Sequence, residues 1–287
     1  MKCASFFAGV GGIDLGFEKA GFNVIYANEF DKNAAITYNA NHTIKVDERS
    51  IVDVPTAEIP NFDILLAGFP CQAFSIAGYR KGFEDKGRGD LFFELVRIIK
   101  DKKPKVLFLE NVKNLTVHDN GNTFKVILSE LQALGYYVKY QVMNAFEYSN
   151  IPQNRERIYI VAFRNKNNFD NFEFPSKIEL TTKIADFLQD ESSIDRRYYY
   201  TDKTPFFEQL ADINNAETLY QWRRKYVREN KNKLCPTLTA NMGTGGHNVP
   251  LLNVQGKSDT IRKLTPRECF NFQGFPSDFV LPNISNG

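Results

Sequence analysis

A cysteine, a glutamate and two arginines at the ends of apolar runs are the residues of this chain best suited to covalent chemistry. Cys71 stands in Ala67-Gly68-Phe69-Pro70-Cys71-Gln72-Ala73-Phe74-Ser75, where the apolar run 62–67 gives way to Gly68 and Pro70. Glycine and proline break a strand, so the thiol is presented in a loop at the kind of edge where parallel sheets bind ligands. A thiolate there is a nucleophile; a buried, inert cysteine is the other reading of the same run. Glu110 follows the apolar residues 106–109. A carboxylate in that place is costly to bury unless it is used, although strand-end acids also serve as exposed caps. In Gln153-Asn154-Arg155-Glu156-Arg157, strand alternation aims Arg155 and Arg157 at one face. They form either a donor cluster for oxygen or phosphate, or a solvated charged edge.

A second constellation suits an adenosine-type ligand. Phe7-Ala8-Gly9-Val10-Gly11-Gly12 separates the first predicted strand from the first predicted helix, and Glu29 follows the second strand. Glycines let backbone approach a ligand closely, and an acid at that strand end suits ribose hydroxyls. The spacing differs from the dinucleotide pattern and lacks the Lys-Ser/Thr of a phosphate-binding loop, so a tight strand-to-helix turn accounts for it equally well. Phe30 either stacks on an adenine or belongs to the core. A nucleophilic thiol, a proton-donating carboxyl, two arginines and such a pocket at one sheet edge suggest covalent chemistry on a heterocycle.

The elements that position these groups alternate in type. Strands are predicted at 2–6, 23–28, 62–67, 106–109, 137–143 and 158–163, with helices at 13–20, 91–100 and 123–134. This alternation predicts an α/β fold, a doubly wound, mostly parallel sheet over residues 1–175. From residue 176 the alternation fails, and a smaller, irregular domain is expected over 176–287. The 287 residues, 43% of them apolar, supply a sizeable core. Cys3, Cys71, Cys235 and Cys269 are far apart and no metal-ligand spacing is present, so reduced cytoplasmic thiols and no metal are expected. No leader or membrane-span pattern is evident. The net charge of +2 is too small to imply a polyanionic partner unless the charge is concentrated locally.

Five motifs in order resemble the bacterial DNA (cytosine-5)-methyltransferases of restriction-modification systems. They are Phe7-Ala8-Gly9-Val10-Gly11-Gly12, Gly68-Phe69-Pro70-Cys71-Gln72, Glu110-Asn111-Val112, Gln153-x-Arg155-x-Arg157 and Arg262-Lys263-Leu264-Thr265-Pro266-Arg267-Glu268-Cys269. The resemblance covers nearly the whole chain and implies the S-adenosylmethionine-dependent methyltransferase fold, with the second domain as a target-recognition domain. It further implies S-adenosyl-L-methionine as cofactor, double-stranded DNA as partner and a flipped-out cytosine as substrate. Cys71 then adds to carbon 6 of the ring, its thiolate favoured by Arg155. Glu110 contacts nitrogen 3 and the exocyclic amine, which predicts a raised pKa, and Arg157 binds the oxygen at position 2. The cofactor residues implied are Phe7, Gly9, Gly11, Glu29, Phe30, Ser50, Ile51, Pro70 and Leu91. DNA contacts are implied for Gln72, Ser75, Arg80, Lys81 and Arg88 of a glycine-rich lid, and for Arg223, Arg224, Thr239 and Asn241. On its own residues, the basic and aromatic stretch 220–228 reads as a phosphate-contacting face or a solvated helix.

Two departures from the family pattern qualify these expectations. Arg49-Ser50-Ile51 replaces the usual Gly-Asp-Ile, leaving Asp47 or Asp53 to take the missing aspartate's place. Family members also continue into a Gly-Asn-Ser/Ala-Val segment and a final helix, whereas the sequence ends at Gly287. A truncated product, or half of a two-polypeptide enzyme, is therefore expected. The competing readings are a tRNA cytosine-5 methyltransferase and a DNA-binding chain inactive without a second polypeptide. A cognate restriction endonuclease is a further expected functional partner.

Overall fold

The structure, a computed structural model, describes residues 1–70, 91–239, 249–254 and 260–283. They fall into two compact units: the described residues of 1–143, 157–174 and 280–283, and those of 144–156 and 175–279.

The first unit is built on a six-stranded sheet in the order β2-β1-β3-β4-β6-β5. Its strands are β1 (Lys2–Phe6), β2 (Asn23–Asn28), β3 (Ile64–Ala67), β4 (Val106–Val112), β5 (Tyr137–Asn144) and β6 (Glu156–Phe163). Strand β1 pairs in parallel with β2 and β3, and β3 with β4. Alternation sorts their side chains onto two apolar faces. Ala4, Phe6, Leu65, Ala67, Leu107 and Leu109 enter one core cluster, while Cys3, Val24, Ile64 and Leu66 enter another.

Helices cover both faces. Helix α1 (Gly12–Lys19) supplies Ile13 and Phe17 to the second cluster, and α2 is Lys32–Asn41. Helix α3 (Leu91–Lys102) buries Phe92, Leu95, Val96, Ile98 and Ile99 on one stripe, and α4 (Asn122–Ala133) buries Phe124, Ile127 and Leu131. Helical spacing of these apolar residues is what allows one face of each helix to close on the sheet.

Strand β6 departs from the parallel expectation, because it runs antiparallel to β4. Residues 145–155 between β5 and β6 hold only the single-turn helix α5 (Ala145–Tyr148), shorter than the crossover a parallel neighbour needs. The reversal has a chemical consequence: it sets the start of β6 opposite the end of β4, with Val112 facing Arg157. Strand β4 is also longer than predicted, so Glu110 and Asn111 lie within it. Helix α2 was not anticipated; it lacks a clear apolar stripe and is started by Asp31, whose carboxylate accepts from Ala34 N at 2.8 Å. Helix α6 (Lys166–Asn171) follows β6.

The second unit carries an antiparallel sheet, order β10-β9-β7-β8, from β7 (Tyr220–Trp222), β8 (Val227–Glu229), β9 (Pro250–Asn253) and β10 (Ile261–Lys263). Strands β7 and β8 form a hairpin, so the basic stretch 220–228 is not the solvated helix that was one of its two readings. Helix α7 (Pro266–Asn271) begins with a capping box between Thr265 and Glu268. Fully buried Arg262 joins this box, donating to Glu268 Oε1 at 2.8 Å and to Glu191 Oε2 at 3.0 Å.

Candidate functional site

The glycine turn between β1 and α1 needs its glycines for two different reasons. Phe7, Gly9 and Gly11 all have positive φ, of 55°, 57° and 86°. At Gly9 a β-carbon would meet no heavy atom within 4 Å, so that backbone faces open space. At Gly11 a β-carbon would lie 2.0 Å from His42 Nε2. The His42 side chain is fully buried, stacks on Tyr38 at 4.1 Å and meets Glu18 Oε2 through Nδ1 at 3.1 Å. Tyr38 and Ser5 both donate to Asp14, at 2.8 and 2.6 Å, and burial raises the Asp14 pKa above the ordinary carboxylate value. A packed polar network therefore underlies the turn. No side chain caps α1, which leaves its first N–H groups for another acceptor.

Glu29 fixes the same turn to the end of β2. Its Oε2 accepts from Gly9 N at 2.9 Å and its Oε1 from Asp31 N at 2.8 Å. Phe30, the next residue, is 66% exposed. Asn28 donates to the carbonyls of Asp47 and Arg49, aligning that segment with the strand end. Asp47 itself is engaged by Arg49 and by the Tyr26 hydroxyl, and hydrogen bonds from Arg49 hold its pKa below the ordinary value. Ser50 leads into a 3-10 turn at Ile51–Asp53, which buries Ile51 and is pinned by Arg97 of α3 at the Ile51 and Val54 carbonyls.

Two neighbouring strands carry the second constellation. The Glu110 carboxylate meets Arg157 Nε at 2.9 Å, both side chains being mostly buried. Its other oxygen lies over Gly68, 3.4 Å from the position of a β-carbon there. Asn111 Nδ2 donates to the buried Phe69 carbonyl at 2.7 Å. The strand bearing Glu110 therefore holds the segment that leads through Pro70 to Cys71. Asn111 stands in the Glu110-Asn111-Val112 motif, but the sequence pattern gave it no role, because its partner is a backbone carbonyl 42 positions away.

The second unit organises residues 144–156 against residues 235–238. Asn154 N donates to Cys235 O at 2.8 Å and Cys235 N donates to the Pro152 carbonyl. Thr237 Oγ1 donates to Asn154 O at 2.6 Å, and Asn144 holds both Arg155 N and the Asn154 side chain. Arg155 Nη1 reaches the Leu238 carbonyl at 3.5 Å. Arg155 is thus described within the second unit and Arg157 within the first. A polar cleft of about 270 Å³ lies in the second unit, lined by Asn154, Gln221, Arg223, Arg228, Thr237 and Thr239 among others. Arg224, with φ of 68°, stands exposed on the hairpin turn.

Cys71, Gln72, Ser75, Arg80, Lys81, Arg88 and Asn241 lie outside the described residues. Pro70 is exposed and Leu91 half-buried at the two ends of that first segment. Among the described residues no helix is long and apolar enough to cross a membrane, and no group of histidine, cysteine or acidic side chains could hold a metal ion.

The profile of a family described as C-5 cytosine-specific DNA methylase matches residues 1–286. The chain is 59% identical over 288 residues to type II methyltransferase M.Bsp6I of Bacillus sp. (strain RFL6), covering 99% of this chain and 90% of that protein. It is 41% identical over 305 residues to type II methyltransferase M.HhaI of Haemophilus parahaemolyticus, covering 99% and 87%. Among solved structures, a mutant DNMT2 of Spodoptera frugiperda matches with a TM-score of 0.75 at 17% identity, over 99% of this chain and 92% of that one. The Dnmt2 methyltransferase of S. pombe matches with a TM-score of 0.72 at 18% identity, over 99% and 90%. These two likenesses bear on the fold alone.

Proposed function

Because the chain belongs to the C-5 cytosine-specific DNA methylase family, we propose that Cys71, Glu110, Arg155 and Arg157 are the groups with which it works on a flipped-out cytosine. The chain is a DNA (cytosine-5)-methyltransferase of a restriction-modification system, and S-adenosyl-L-methionine is its cofactor. The observation that carries the residue assignment is the Glu110–Arg157 pair, held over Gly68 at the approach to Cys71.

Carbon 5 of cytosine is too poor a nucleophile to be alkylated directly. The Cys71 thiolate adds to carbon 6, forming an S–C bond and pushing the C5–C6 electron pair toward carbon 5. Glu110 holds nitrogen 3 and the exocyclic amine and gives nitrogen 3 a proton as the ring gains electrons. Arg157 stabilises the charge that gathers on the oxygen at position 2. Arg155 supplies positive charge that favours the thiolate. Once carbon 5 carries its methyl group, loss of the carbon 5 proton reforms the double bond and expels Cys71 as thiolate.

The glycine turn fits an adenosyl ligand. Gly9 faces open space, Glu29 presents a carboxylate with remaining lone pairs, and the exposed Phe30 ring offers a stacking surface. Phe7, Gly9, Gly11, Glu29, Phe30, Ser50, Ile51, Pro70 and Leu91 would hold S-adenosyl-L-methionine, which supplies the electrophilic methyl group. With Asp47 committed to Arg49, Ser50 and Asp53 are left as the candidates for the adenine amine. The catalytic and cofactor groups belong to residues 1–175. Residues 176–287 act as the target-recognition domain, where Arg223, Arg224, Thr239 and Asn241 contact DNA. Gln72, Ser75, Arg80, Lys81 and Arg88 contact the DNA as well.

Bisulfite sequencing of DNA from cells expressing the 287-residue chain tests this reading. Methylated cytosines in a fixed sequence context are expected, and abolished by Cys71→Ser. Activity of the purified chain alone would dispense with a second polypeptide. A cognate endonuclease is tested separately, by asking whether that methylation protects DNA from the partner enzyme.

A further inference from the structure

The β7–β8 hairpin sets Gln221 directly opposite Arg228. Gln221 is 5% exposed, and its Oε1 accepts from Arg228 Nη2. Arg228 is exposed, and both residues line the polar cleft of the second unit. A buried amide oxygen thus fixes one edge of an exposed guanidinium. The side chain loses rotamer freedom before any ligand arrives, so less is lost on binding. Arg224 and Lys225 differ: they stand exposed on the turn of the same hairpin, where a point charge near a phosphate needs no such support.

We propose that Arg228 is a specificity-determining residue that reads a guanine edge in the DNA, and that Gln221 is its positioning residue. The proposal rests on DNA being the substrate. A guanidinium with one edge held has its remaining N–H groups in a planar fork, which matches the O6 and N7 acceptors of guanine in the major groove. Phosphate binding uses the charge and is indifferent to sequence. The cleft also carries Asn154, the residue before Arg155. A base edge seated at Arg228 therefore lies in the same cleft as the start of the segment that supplies Arg155.

The test is a binding selection from a randomised duplex library, run with wild type, Arg228→Lys, Arg228→Gln, Gln221→Leu and Gln221→Glu at several salt concentrations. Trp222, paired with Val227 in the same hairpin, reports by its emission that each variant keeps the hairpin. Wild type should show a G·C preference at one position. Both Arg228 variants should lose that preference by on the order of ten- to a hundredfold, with other positions unchanged. Gln221→Leu should lower it at the same position and Gln221→Glu, which keeps the acceptor, should retain it. A uniform loss over all sequences, with a salt slope reduced by about 1, would make Arg228 a phosphate contact and overturn the proposal. So would a preference unchanged in both Arg228 variants. Binding is scored without turnover, so a failure of the methyl-transfer reading shows separately, as selective binding without methylation.

Discussion

Replacing Gly11 by alanine should damage the first unit through two separable costs. One is conformational: with φ at 86°, an L-residue pays about 1–2 kcal/mol for the left-handed region. The other is steric: the new methyl would lie 2.0 Å from His42 Nε2, and the ring cannot turn aside, being fully buried and stacked on Tyr38. Overpacking of this kind costs about 1–3 kcal/mol. Gly11→Ala should therefore destabilise by about 2–5 kcal/mol against wild-type His42, and by only about 1–2 kcal/mol in a His42→Ala background. The difference, an interaction of about 1–3 kcal/mol, is what a double-mutant cycle measures. Urea titration followed by far-ultraviolet circular dichroism reads the first unit, where the longer helices lie. Emission from Trp222, the single tryptophan, reads the second unit and should not move. Calorimetry with S-adenosyl-L-methionine should show weakened binding alongside. Equal costs in the two backgrounds would refute the claim that His42 dictates glycine at position 11.

The remaining predictions concern the strand ends, the buried acid and the second unit. Asn111→Ala strips the Phe69 carbonyl of its buried donor and should cost about 1–3 kcal/mol of stability; slower covalent trapping with unchanged cofactor affinity would mark its positioning of the Cys71 approach. Glu110→Gln keeps the shape but cannot deliver a proton, so single-turnover methylation should slow about 10²–10⁴-fold. Asp14 has its folded pKa raised by burial, so the stability it contributes is full below its unfolded value of about 3.9 and is lost as pH rises through the higher folded value. Urea midpoints of wild type should thus fall relative to Asp14→Asn as pH rises above about 4, and a flat difference would contradict this. Arg262→Met leaves Glu268 buried and unpaired and should destabilise the second unit by about 3–5 kcal/mol, read by Trp222 emission.

Much of the first unit was legible because each strand and helix is marked by its own residues. The apolar runs at β1, β2 and β3 and the striped patterns of α3 and α4 are local signals, and glycine punctuates their ends. Helix α2 was not legible, since its polar residues give no stripe and its start rests on one Asp31 cap. The reversal of β6 was hidden for a different reason: strand direction follows from the shortness of the 145–155 connection, not from the composition of β6. That reversal is what lets Arg157 reach Glu110. The second unit's sheet was not foreseen, because strands of three or four residues are too short to establish a period. Site residues show the same division. The glycines were legible as a turn between a strand and a helix, with Glu29 at the end of the next strand, while the link between Gly11 and His42 and that between Asn111 and Phe69 exist only once the sheet brings distant residues together.

The most direct test is covalent trapping on duplex DNA carrying 5-fluorocytosine, whose fluorine cannot leave as a cation and so blocks release of the nucleophile. Wild-type chain with S-adenosyl-L-methionine should form a denaturant-stable adduct through Cys71, and Cys71→Ser should form none. An adduct that survives Cys71→Ser, or one formed on tRNA and absent from DNA, would contradict the account.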